Sequence, residues 1–145
     1  MAACSSSSLP YPTPTSWPVD LNRPVALLMI WVVHFLTDDD DPYGRVAALT
    51  GPLAPGSYLA MSHGTKDFLS AETAERAVAA NQQENTRSRD PFQPRNREEF
   101  ARFFDAMTLV PPGIQPISEW RNIDPPEQRT SPADASSYGA IARIS

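Results

Sequence analysis

The stretch PVALLMIWVVHFL, residues 24–36, followed by TDDDDPYG, residues 37–44, decides the fold. The first run is continuously apolar and contains Val25, Ile30, Val32 and Val33. Strands covered on both faces read this way, as in parallel sheets. A helix is conceivable from the leucines. Pro24 on one side and the acidic run on the other favour a strand of about six to eight residues. Carboxylates ahead of Pro42 suit a helix N-terminus, because aspartate caps free amides and proline fits the first turn. That helix is expected to carry Val46, Ala47 and Leu49 inward and to stop at Thr50-Gly51-Pro52.

Outward from this stretch, Pro55-Gly56 marks a turn, and residues 56–63, GSYLAMSH, read as a second strand. A helix is expected from Ser70 to Glu84, with Ala74, Ala77 and Val78 on a thin apolar face. Asn85 to Pro94 reads as a polar loop. Arg95 to Met107 reads as a helix, since Phe100, Phe103, Phe104 and Met107 fall at helical spacing on one stripe. Asn96 with Glu99 forms a variant of the capping box. Thr108 to Trp120 is a strand pattern broken by prolines, which confines it to an edge or a bend. Residues 121–135 read as a loop, and Tyr138 to Ile144 as a closing strand. Strands alternating with helices argue for an α/β sheet. The last two strands suit an antiparallel pair.

Composition narrows the function classes. The net charge of −5 argues against a nucleic-acid binder. Arg87, Arg89, Arg95 and Arg97 lie among acids and read as solvated surface. Sixteen prolines gather toward the two ends, and residues 1–18 read as a disordered Ser/Pro-rich tail, leaving residues 19–145 as the folded unit. Cys4 is the one cysteine, so no internal disulfide forms. The start has no signal-peptide pattern, and the run from Val25 to Leu36 is too short for a bilayer. A cytoplasmic protein with no membrane partner is expected.

The two histidines, His34 and His63, each fall at the C-terminal end of an expected strand, where ligands bind in open α/β sheets. The plainer reading makes each a strand-end side chain satisfied by a neighbouring loop. A metal held by both with Asp38 to Asp41 or Asp67 matches no ligand spacing, and the four aspartates lack the pattern of a calcium loop. No metal site is expected. Neither a Gly-x-Ser-x-Gly elbow nor a Gly-x-Gly-x-x-Gly loop occurs. Trp31, Phe35, Phe103 and Phe104 read as core rather than as a cofactor stack.

From Asn22 through His34 to Gly44, again over Leu53 to His63, over Pro94 to Met107, and at Pro112-Gly113-Ile114, Trp120-Arg121 and Ser137 to Arg143, the chain resembles the actinobacterial S-adenosyl methyltransferase family, long described as a domain of unknown function. The resemblance implies a Rossmann-like class I methyltransferase sheet. Only its C-terminal half is represented, equivalent to strands four to seven with the last pair antiparallel. The family's Asp-Ile-Gly-Thr-Gly motif and the acid after its second strand have no counterpart. Thr50-Gly51-Pro52 replaces a continuous helix end, and the loop from Gln83 to Gln93 is atypical. The implied cofactor is S-adenosylmethionine and the implied partner a small-molecule acceptor. Val33, His34 and Phe35 are the implied cofactor-side residues, His34 the candidate to orient the acceptor or act as a base, and His63 the candidate for substrate binding. Loss of the first strand is expected to leave Val25 to Val33 on a sheet edge. Homodimerisation, or the missing half supplied in trans, would cover it. The alternative is an inactive remnant or an interaction module.

Overall fold

A computed structural model describes residues 19–76, 79–80 and 92–145. The strand expected from the opening run is β1, Ala26–Ile30. It pairs in parallel with β2, Tyr58–Gly64, in a register running from Ala26 opposite Tyr58 to Ile30 opposite Ser62. The chain crosses between them through α1, Pro42–Thr50. Two serines lock the ends of this pair: Ser57 Oγ accepts from the Val25 amide at 3.1 Å, and Ser62 Oγ accepts from the Trp31 amide at 3.1 Å.

β1 is shorter than expected and is not covered on both faces. Its residues alternate between half-buried and exposed, with Leu28 65% and Ile30 52% exposed. The reason is position: β1 ends the strand order and, among the described residues, has a neighbour on one side only.

The start of α1 follows from local chemistry. Asp41 takes the left-handed conformation, φ 50°, and its carboxylate accepts from the Gly44 amide at 3.1 Å. One turn earlier, Asp40 accepts from both the amide and the hydroxyl of Thr37 at 2.8 Å. Pro42, Val46 and Thr50 face inward at a spacing of four. Ala47 and Leu49 point outward, against expectation, because the helix rests on the sheet along that single row. Gly51 and Pro52 end the helix, and Gly56 turns the chain into β2 at φ 86°, where a side chain is unfavourable.

α2, Arg97–Ala101, carries the expected capping box: the Glu99 amide donates to Asn96 Oδ1, and the Asn96 amide donates to Glu99 Oε2, both at 2.8 Å. The chain then tightens into a 3-10 turn, Arg102–Phe104. Phe100, Phe103 and Phe104 are buried as expected. The helix does not reach Met107. That residue opens β3, Met107–Leu109, because Met107 pairs with Ile144. Arg95 lies outside the helix, ahead of its cap.

Prolines split the next segment into β3 and β4, Gln115–Pro116, with a cis Pro111–Pro112 peptide between them. Within the expected loop over residues 121–135 lie a 3-10 turn, Pro126–Gln128, and a short helix, α3, Pro132–Ala135, whose cap Ser131 receives the Asp134 amide. β5, Ser137–Ile144, runs antiparallel to β2 and carries β3 and β4 on its other edge. The five-stranded order is β1-β2-β5-β3, with β4 also on β5. β1 with β2 is the sole parallel pair among the described residues, and the rest of the sheet is antiparallel.

The core lies where β2 and β5 meet α1 and α2: Leu59, Met61, Ala140 and Ala142 pack with Val46, Phe100, Phe103 and Phe104. Residues 71–76 and 79–80 are helical. Ala77, Val78, the end of the expected helix toward Glu84, most of the loop after it, and the Ser/Pro tail fall outside the described residues.

Candidate functional site

β1 ends at Ile30, and Trp31 then turns the chain with a positive φ of 52°. A bulky residue rarely adopts this conformation. The surrounding contacts must hold it, and such positions cluster at functional sites. The turn feeds a single 3-10 turn, Val33–Phe35. His34 therefore sits beyond the end of β1 rather than on it, while His63 lies within β2 near its C-terminal end.

The fold brings the two histidines together. Their ring centroids are 5.8 Å apart, edge to face at 90°. His34 is further enclosed by Trp31 at 4.9 Å, Phe35 at 4.5 Å and Phe92 at 4.8 Å. A Cβ on Gly64 would lie 2.8 Å from Phe92 Cζ, so the glycine leaves room for that ring. Val33 and His34 are buried, whereas Trp31 and Phe35 are each 46% exposed. The expectation that these aromatic residues are core holds for Phe103 and Phe104 and fails for Trp31 and Phe35. Those two lie past the end of β1, each packed against His34 on one side only among the described residues.

Arg95 is the residue that local composition misplaces. It is 1% exposed, not solvated surface. Its Nη1 donates to His63 Nε2 at 3.1 Å. Its Nη2 donates to the Leu36 carbonyl at 2.9 Å and to Asp38 Oδ1 at 3.0 Å. Arg97, two residues on, is exposed. A guanidinium only donates, so His63 Nε2 must accept. The proton then sits on His63 Nδ1, which donates to the Gly64 carbonyl at 2.8 Å. Both ring nitrogens of His63 are engaged, and the residue is fully buried.

Burial sets the protonation of both rings. It lowers the His63 pKa to about 4, with the positive Arg95 and His34 adding to the effect and the Gly64 carbonyl opposing it. Burial, then Arg95, also lowers that of His34. Both rings are neutral at neutral pH. Asp38 is held below its ordinary value first by Gln93 and then by Arg95. His34 Nδ1 is buried without a hydrogen-bond partner among the described residues, as is Arg95 Nε.

Beside β2, Asp67 and Tyr138 engage each other. Asp67 Oδ2 accepts from the Tyr138 hydroxyl and the Arg97 amide, each at 2.9 Å. Burial and that carboxylate raise the Tyr138 pKa to about 12. With Asp38 on Arg95 and Asp67 on Tyr138, no three metal-binding side chains converge among the described residues. A groove of about 630 Å³ opens between α1 and the 3-10 turn that follows α2, lined by Tyr43, Arg102, Met107 and Ile144. It touches neither histidine. No described helix is long and apolar enough to cross a membrane.

Comparison with known proteins identifies the family and the fold. The family described as S-adenosyl methyltransferase matches residues 13–145. Among solved structures, a DUF574 family protein from Streptomyces avermitilis MA-4680 is 38% identical with a TM-score of 0.76, over 88% of this chain and 47% of its own. A candidate methyltransferase from Thermobifida fusca YX is 29% identical with a TM-score of 0.70, over 87% of this chain and 45% of its own. The chain thus spans about half the length of these relatives. No curated protein matches it.

Proposed function

The chain belongs to the S-adenosyl methyltransferase family, and from that premise we propose that it forms one half of a methyl-transfer site that acts on a small-molecule acceptor in the cytoplasm. The observation that carries this reading is the buried, unpartnered Nδ1 of a neutral His34, set between the half-exposed rings of Trp31 and Phe35 where the parallel strands end. Ligands of open α/β sheets bind outside such strand ends.

The residues present suit S-adenosylmethionine in part. Trp31 and Phe35 offer exposed aromatic surface, Val33 packs beneath them in the core, and His34 offers one hydrogen-bonding atom. The sequence supplies no glycine-rich loop for the rest of the cofactor. A complementary half, pairing along the bare edge of β1, would provide it. When bound, the cofactor supplies an electrophilic methyl group on sulfur. This chain's part is to position: transfer needs nucleophile, methyl carbon and sulfur in line. His34, neutral at the working pH, can accept the acceptor's proton or orient its polar group. His63 supports the His34 ring from below while its own nitrogens stay occupied.

The exposed apolar edge of β1 also favours a second reading, an interaction module without chemistry of its own. Calorimetric titration of S-adenosylmethionine and S-adenosylhomocysteine into the folded chain separates the two. Binding in the micromolar range is expected. No heat from a demonstrably folded chain rejects autonomous methyl transfer and leaves either the interaction module or one half of a two-chain enzyme.

A further inference from the structure

We propose that Arg95 is a positioning residue of this site: it ties the segments that follow β1 and β2 to one guanidinium and so sets the orientation of the His34–His63 pair. The proposal rests on the methyl-transfer reading above for its purpose, but not for its geometry.

Three segments distant in sequence meet at this side chain. Leu36 and Asp38 follow the turn that bears His34; His63 and Gly64 end β2; Arg95 precedes α2. The backbone joins in, since the Arg95 amide donates to the Gly64 carbonyl at 3.1 Å and the Gln93 amide to the His34 carbonyl at 2.8 Å. The Asp38 amide donates to Gln93 Oε1 at 3.1 Å. The faces of Tyr43 and Phe103 lie 5.7 and 5.6 Å from the guanidinium carbon.

Stability alone does not account for an arginine here. Burying a guanidinium whose one carboxylate partner among the described residues is 67% exposed costs free energy that an apolar side chain of similar volume would avoid. Arg95 Nε remains unpartnered as well. What the arginine provides is a rigid fork of donors in fixed directions. One branch selects the Nδ1-protonated form of His63. The other holds the backbone just past His34. The groups facing this pair from the packed elements are Asp38 after β1, Tyr138 opposite His63 on β5, and Phe100 and Phe103 from α2 and its 3-10 extension. Tyr138 is occupied by Asp67, so Arg95 is the one cation in direct contact with either ring among the described residues.

Imidazole nitrogen NMR on the full chain tests this, since two histidines give two separable rings and His34→Gln assigns them. In the wild type, His63 should show the Nδ1-protonated signature down to about pH 4, and S-adenosylhomocysteine should shift the His34 ring. Arg95→Met and Arg95→Lys should each release the His63 tautomer and weaken the His34 response to S-adenosylhomocysteine by at least about tenfold, and Arg95→Met, which removes the charge, should also raise the His63 titration midpoint. Arg95→Lys keeps the charge but not the fork, and it carries the test should Arg95→Met fail to fold. An unchanged tautomer in a folded variant overturns the proposal. So does a rearranged His63 with wild-type affinity for S-adenosylhomocysteine, which makes Arg95 a packing element. If the wild-type His34 ring ignores S-adenosylhomocysteine, the methyl-transfer reading falls, and the tautomer and titration alone decide whether Arg95 sets the pair.

Discussion

β1 and β2 are neighbours in one sheet and similar in composition, yet they live in different surroundings. β2 has a strand on each side, and Leu59, Met61, Ser62 and His63 are all buried. β1 has one neighbour among the described residues, and Leu28 and Ile30 stand more than half exposed. The same apolar alphabet makes a core strand in one place and an open edge in the other. Unpaired edges invite another strand, and the relatives extend over about twice the matched length. The difference therefore separates the part of the chain that is finished from the part that has a face to offer. His63 and His34 inherit the contrast: one is saturated with partners, the other has a buried nitrogen without a partner among the described residues.

The largest effect should come from the finished side. Phe100 is fully buried and contacts His63, Phe104 and Tyr138. Phe100→Ala should cost about 3–5 kcal/mol in urea unfolding. A cost below about 1 kcal/mol would show that this core is far looser than its packing.

Next is the pH dependence of stability. His63 is neutral when folded until about pH 4, whereas an unfolded histidine protonates near its ordinary value. The unfolded chain then binds more protons between those two pH values, so stability falls as pH drops through that window. The full loss attributable to His63 is at most about 3 kcal/mol. His63→Gln should flatten the curve there, and a slope equal to the wild type's would assign the effect to other groups.

A smaller effect is expected at the start of α2. Asn96→Ala removes the side chain that receives the Glu99 amide and should cost about 1 kcal/mol. Restoration by Asn96→Asp or Asn96→Ser would tie that loss to the cap.

The smallest change should appear on the open edge. Leu28→Lys, at an exposed position, should alter stability by no more than about 0.5 kcal/mol and reduce self-association in sedimentation. A cost above about 2 kcal/mol would mean that the outer face of β1 is covered in solution, and the contrast with β2 would vanish.

Much of the fold was legible because it depends on neighbours in sequence. The Asn96–Glu99 box, the Asp41–Pro42 helix start and the Gly56 turn are local hydrogen-bond and dihedral problems. Residue types a few positions apart solve them. The resemblance to the methyltransferase family, carried by the segments around His34, His63 and Phe100, likewise lay in the linear order of residues. The site was half legible. Both histidines stand near strand ends, but nothing local says that their rings meet.

Arg95 shows where local reading stops. Its neighbours in sequence are charged and polar, so it resembled surface. Its partners lie 32, 57 and 59 residues away, at His63, Asp38 and Leu36. Met107 left its helix for a similar reason, since pairing with Ile144 outweighed helical spacing. Leu49 turned outward because only one row of α1 meets the sheet. By itself, then, the sequence determined the caps, the turns, the apolar strands and the family, since each is encoded within a few residues or in the order of segments. Only the tertiary structure decided which strand face stays bare, which arginine is buried and which histidine nitrogen goes unpartnered among the described residues, because those depend on contacts that exist only once distant segments have packed.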